Sequence, residues 1–126
     1  MKRDWDVIKV ILEKIENNSL DSFINDGLSV KPPYCISDEV LLGHIEILVD
    51  AGIIKHAEVQ RNSDGSFNFW DLRVVYITMS GHDLLDALRD QKIWNAIKLK
   101  SKQIGISLSW EFIKASIPIV IQNLVK

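Results

Sequence analysis

The stretch SDEVLLGHIEILVDAG, residues 37–52, continued by IIKHAEVQRNSDGSFNFWDLRVVYITMSGHDLLDAL, residues 53–88, decides how this chain is to be read. Ser37 is an N-cap, and Asp38 and Glu39 suit the positive end of a helix dipole. Ile36 and Leu41 stand in the positions of a hydrophobic staple. Val40, Leu41, His44, Ile45 and Leu48 recur as one inward face, so the spacing predicts a helix over Ser37–Ala51. Gly52 supplies the left-handed stop, with Ile53 placed to touch Leu48. An extended strand is expected from Ile53 to Gln60. A turn follows at Arg61–Ser66 with its tip at Asp64-Gly65, then a second strand near Leu72–Thr78, rich in β-branched and aromatic residues. Thr78 or Ser80 caps a further helix whose inward face is Leu84, Leu85 and Leu88. Helix, hairpin, helix in this order is the second half of a winged helix-turn-helix, so the expected class is α+β with the hairpin as wing.

Outward from this centre, Asp4 caps a first helix with Trp5, Ile8, Ile11, Leu12 and Ile15 on one face. Asn17-Asn18-Ser19 stops it. Residues 20–34 are the hardest to read. Asn25-Asp26-Gly27 between Phe23-Ile24 and Leu28–Val30 suggests a short hairpin or a single strand, and Pro32-Pro33 an extended path. The second helix of a helix-turn-helix belongs here, and it is expected to be short, degenerate or absent. Toward the C-terminus the apolar phase breaks near Asp90-Gln91. Ile93, Trp94 and Ile97 open another helix that Gly105 ends, and Ser107 or Ser109 caps a last one. Pro118 should kink that helix or restart it. The expected organisation is a winged-helix-like core over residues 1–90 with a helical extension over residues 91–126.

The bulk numbers are those of an ordinary globular chain: 126 residues, 47% hydrophobic, 25% charged and a net charge of −2. A chain this long buries roughly two-thirds of its unfolded surface, enough for a core without staples. Such a charge balance offers no bulk attraction to nucleic acid or to an anionic membrane. Cys35 is the only cysteine, which fits a reducing compartment. Two acids in the opening Met1-Lys2-Arg3-Asp4-Trp5-Asp6 stand where a signal peptide needs apolar residues, and the apolar C-terminal stretch is interrupted by polar ones. The expected location is cytoplasmic.

Several segments together resemble an uncharacterised bacterial and phage family, domain of unknown function 2513. They are the opening residues 1–6, Val40–Ile45, Leu48–Ile54, Ile77–Asp86, Ile93-Trp94-Asn95 and Ser107-Leu108-Ser109. The resemblance covers nearly the whole chain except residues 20–34. It implies a winged-helix-like fold and a prophage origin, and it brings no catalytic residue and no ligand.

Four groups of residues are candidates for function. The central helix carries Asp38, Glu39, Glu46 and Asp50 and no Lys or Arg. Phosphates would repel it in a groove of DNA. Its plainer reading is a solvated acidic face, and its sharper one a surface for a basic partner. Arg61 and Arg73 on the wing could touch a phosphate backbone, with Phe67, Phe69 and Trp70 to wedge or stack, although strand aromatics usually pack inward. Gln91, Asn95, Lys98 and Lys102 share one helix face, the one coherent cationic surface. Trp110, Ile113, Ile117, Val120 and Leu124 form a heptad stripe, widened by Ile121, so Ile117, Val120, Ile121 and Leu124 are candidates for a dimer interface or for the chain's own core.

His44, His56, His82 and Cys35 lack metal-ligand spacing, and no nucleophile–base order or phosphate loop stands out. The expected function is therefore a non-enzymatic binding or regulatory module, homodimeric, without cofactor or metal, acting on a protein partner. The alternative is a DNA-binding regulator, which the fold favours and the charge opposes.

Overall fold

A computed structural model describes residues 2–124. Among these the elements run α1 (Trp5–Glu16), α2 (Leu20–Asn25), α3 (Asp38–Asp50), β1 (Ile54–Lys55), β2 (Glu58–Arg61), β3 (Phe67–Asp71), β4 (Tyr76–Ile77), α4 (Met79–Arg89), α5 (Gln91–Ile104) and α6 (Trp110–Leu124). The architecture is mixed α+β. The chain divides into two compact units, Met1–His82 and Asp83–Lys126, with the division inside α4.

The first unit is built on α1, which packs against α2, α3 and β4. Asp4 caps α1 by accepting from the backbone N–H groups of Asp6 and Val7. Ile8, Ile11 and Leu12 of α1 and Leu41, Leu42, Ile45 and Leu48 of α3 are all buried, and the two helices pack together. Ser37 accepts from the Val40 N–H, as a cap should. At the other end Gly52 adopts φ 73°. Its N–H reaches the Val49 carbonyl at 3.1 Å, and the Ile53 N–H reaches that of Leu48 at 2.9 Å. This is the expected Schellman closure.

Two parts differ from the sequence reading. Residues 20–25 form a short helix, one of the two readings of this stretch, and not a hairpin or strand. Leu20, Phe23 and Ile24 are all buried, the i, i+3, i+4 spacing of a helix face. Asp26-Gly27, expected as a hairpin turn, is the stop of α2, and residues 29–34 continue in turns rather than in an extended path. The strands also break differently. The ribbon is two separate antiparallel pairs, β1 with β4 and β2 with β3. His56 sits at φ 65° between β1 and β2, outside extended conformation. Opposite it, Arg73 and Val74 form a turn, so β3 lies earlier than expected, at Phe67–Asp71. The Asp71 carboxylate stabilises that turn by accepting from the Arg73 N–H at 3.1 Å.

Thr78 joins the ribbon to α4. Its hydroxyl donates to the carbonyls of Gly52 and Ile53 and accepts from the Gly81 N–H at 3.1 Å. Gly81 is there because nothing larger fits: a Cβ would lie 2.2 Å from the Ile53 carbonyl oxygen.

In the second unit Asp90 caps α5 through the Lys92 and Ile93 N–H groups. Gly105, at φ 79°, ends it. Ser109 caps α6 through the Phe112 N–H. Helix α6 is continuous from Trp110 to Leu124 with Pro118 inside it, so it does not end and restart there. Helices α5 and α6 pack together, burying Trp94, Ile97 and Ser101 of one and Ile113, Ser116 and Val120 of the other.

Candidate functional site: an acidic groove between helix and wing

A groove of about 900 Å³ runs between α3 and the tip of the β2–β3 hairpin. Glu39, Gly43, Glu46 and Asp50 line it from α3 at steps of four, three and four residues, one helical face. Arg61, Asp64 and Phe67 line it from the hairpin. Gly43, in mid-helix, presents backbone instead of a side chain.

A register shift shapes the hairpin wall. Gln60 pairs with Phe69 and Arg61 with Phe67, so Asn68 is the extra residue of a bulge. Directly paired residues share a face of the ribbon. Phe67 therefore shares Arg61's side, and the guanidinium lies 4.0 Å from the Phe67 ring centroid. Trp70 shares that side with Val59 and donates its indole N–H to Asn25 Oδ1 of α2 at 3.0 Å. Phe69 is left 46% exposed.

Arg61 reaches across the groove from the hairpin to α3. Its Nε donates to both oxygens of Glu46 at 3.1 and 3.0 Å, and Nη2 donates to Oε1 at 2.6 Å. Nη1 donates to the Gly65 carbonyl. The hydrogen bond to Glu46 raises the Arg61 pKa further above its ordinary value. At the tip, Asp64 accepts from the Ser66 hydroxyl at 2.6 Å and from its N–H at 3.0 Å, which lowers the Asp64 pKa. The other wing cation, Arg73, donates to Asp71 at 3.0 and 2.8 Å. That side-chain bond, aided by the Arg73 N–H, holds the Asp71 carboxyl down at about 2.

The expected site residues therefore fall into distinct places. Glu39, Glu46 and Asp50 come together in the groove, whereas Asp38 is exposed in the first turn of α3 and does not line it. Arg61 and Arg73, read as backbone contacts for DNA, are each tied to a carboxylate of their own chain. Lys98 and Lys102 are exposed on α5 in the other unit. Of the residues proposed for a dimer, Val120 is buried, Ile117 half-buried, and Ile121 and Leu124 exposed. Asp64 and Phe67 were readable as wing residues, but only the bulge at Asn68 assigns Phe67 to the groove.

His44 belongs to the core, as its place on the inward face implied. It is fully buried, donates from Nδ1 to the Val40 carbonyl at 2.7 Å, and accepts the Asp4 N–H on Nε2 at 2.9 Å. Those two partners define the neutral Nδ1–H tautomer. It thereby ties the start of α1 to α3. Among the described residues no group of three or more His, Cys, Asp or Glu could hold a metal ion. Nor, among them, is any helix long and apolar enough to cross a membrane.

Fold and groove define a class: a small α+β domain with an acidic cleft between a helix and a β-hairpin. The chain belongs to the family described as Hypothetical protein (DUF2513), whose model matches residues 2–107. It is 34% identical over 112 residues to a protein of Haemophilus influenzae described as "Uncharacterized protein", with 86% of each chain covered. No solved structure matches it.

Proposed function

We propose that the first unit is a binding module of winged-helix type that takes a basic segment of a partner protein in the groove between α3 and the β2–β3 wing. Helix α3 stands in the place of a recognition helix, α2 in that of the helix before it, and the hairpin in that of the wing. The observation that carries the reading is the groove's charge. Glu39, Glu46, Asp50 and Asp64 line it, and Arg61, the one cation among the lining residues, is already spent on Glu46. Duplex phosphates would be repelled there, while Lys or Arg side chains would find Glu39 and Asp50 outside any ion pair among the described residues. Glu46 and Asp64 hold the wing in shape, which favours binding over proton transfer as the groove's work.

The test is fluorescence anisotropy with a labelled Arg/Lys-rich peptide and a labelled random duplex at physiological salt. The peptide should bind, and reversing Glu39 and Asp50 to Lys should weaken it by about tenfold or more. The duplex should bind no tighter than roughly micromolar. Tight, salt-steep duplex binding by the wild type would replace this reading with a DNA-binding regulator.

A further inference from the structure

Beyond the acidic groove, a second surface lies wholly within the second unit. Where α5 and α6 meet, they leave a groove of about 340 Å³. Val120 forms its floor, and Leu99, Ile119 and Leu124 form its walls. The three wall residues are 57%, 47% and 49% exposed, large apolar side chains gathered at one concave place. Lys100 lines the same groove, and Lys92 lies on the same face of α5, one turn before Ala96 and two before Leu99. Helix α5 contains four lysines and no acid, and α6 contains the single acid Glu111. Neither Lys92 nor Lys100 is in an ion pair among the described residues.

We propose that the α5–α6 groove docks an acidic amphipathic helix of a partner protein. Apolar side chains at i, i+3 or i+4, and i+7 of such a helix would fill the channel between Leu99 and Leu124. Its flanking Asp and Glu would meet Lys92 and Lys100 of α5. A second copy of this chain suits the surface less well. Two-fold packing on this groove would bring Lys92 and Lys100 of both copies together, and α5 itself carries no acid to offset them. A bilayer suits it less well too, because a concave channel offers its apolar floor to a cylinder and withholds it from a flat surface.

The probe is a labelled helical peptide of about four turns with Leu at those positions and Glu elsewhere, compared with a counterpart carrying Lys for every Glu, both titrated into the full chain. The acidic peptide should bind at least about tenfold tighter than the basic one. Leu99→Asp and Ile119→Asp should abolish binding, and Lys92→Glu with Lys100→Glu should weaken it, while circular dichroism shows these surface variants folded. Glu39→Lys with Asp50→Lys should leave it unchanged, which separates this groove from the one on α3. Equal binding of the two peptides, or none, overturns the proposal. So does a dimer seen by light scattering that Leu99→Asp dissolves, which would assign the groove to a second copy. Capture by anionic vesicles that Leu99→Asp abolishes, with no peptide binding, would assign it to membrane.

Discussion

Single residues in this chain are under three different kinds of constraint. Gly52 has positive φ but open space around a would-be Cβ, so its demand is purely conformational. Gly52→Val should lower stability by about 1–3 kcal/mol in denaturant melts. Gly81 is the reverse: its backbone carries no such φ, but a Cβ would strike the Ile53 carbonyl. Gly81→Ala should therefore lower the same midpoint by forcing residues 79–82 away from Ile53. An unchanged midpoint for either would mean the local geometry is not as described. The sequence could signal Gly52, because a glycine after a helical run is a recognised stop. It could not signal Gly81, whose reason is a neighbour 28 positions earlier in the chain. His44 is constrained by its partners. Replacing it with Leu keeps the burial but strips the acceptor from the Asp4 N–H, at a cost of about 1–3 kcal/mol in the same melts. Asp71 gives the pH dependence. Its folded value, about 2, lies below that of the unfolded chain, near about 3.9. The contribution of the Asp71–Arg73 pair is thus fully present above that range and lost as pH falls toward about 2. NMR titration of the carboxyl carbon should give that low midpoint, and Arg73→Gln should move it upward. A wild-type midpoint in the ordinary range would contradict the pairing.

At the scale of elements, the helices were legible wherever caps and periodicity agreed, as in α1, α3 and α5. The same periodicity was present in α2, but six residues are too few to outweigh a following Asn-Asp-Gly, which reads equally as hairpin turn or helix stop. The ribbon was legible as a hairpin and illegible in register. The left-handed His56 and the bulge at Asn68 are backbone events that no side-chain pattern announces. The acids on α3 could be read as one face, but nothing in the sequence says that Arg61 crosses to Glu46, fifteen residues away. That bond, with the Gly65 carbonyl and the Phe67 ring, clasps the wing tip to α3. Arg61→Ala should leave the global melting midpoint nearly unchanged, since the pair is surface-exposed. It should speed amide hydrogen exchange across residues 60–67 relative to the rest of the ribbon. Unchanged exchange there would show that backbone pairing alone holds the tip.

Across the whole molecule, the modest net charge conceals a division. Met1–His82 carries 13 acids and 8 bases, Asp83–Lys126 carries 4 acids and 7 bases, so −5 and +3 make up the −2. The acidic groove lies in the first unit and the lysine-edged groove in the second, each matching the sign of its own unit. Bulk composition pointed only away from polyanions, because the two signs cancel in it. A basic protein segment in the space between α3 and the wing, as proposed, would leave a different mark on the chain from duplex DNA. Amide chemical-shift mapping on the full chain tests that proposal most directly. Titration with an Arg/Lys-rich peptide is predicted to move the resonances of Glu39, Gly43, Glu46 and Asp50 together with those of Arg61–Phe67, and a random duplex to leave them in place. Shifts at those residues with the duplex, or peptide-induced shifts confined to other surfaces, would contradict the account.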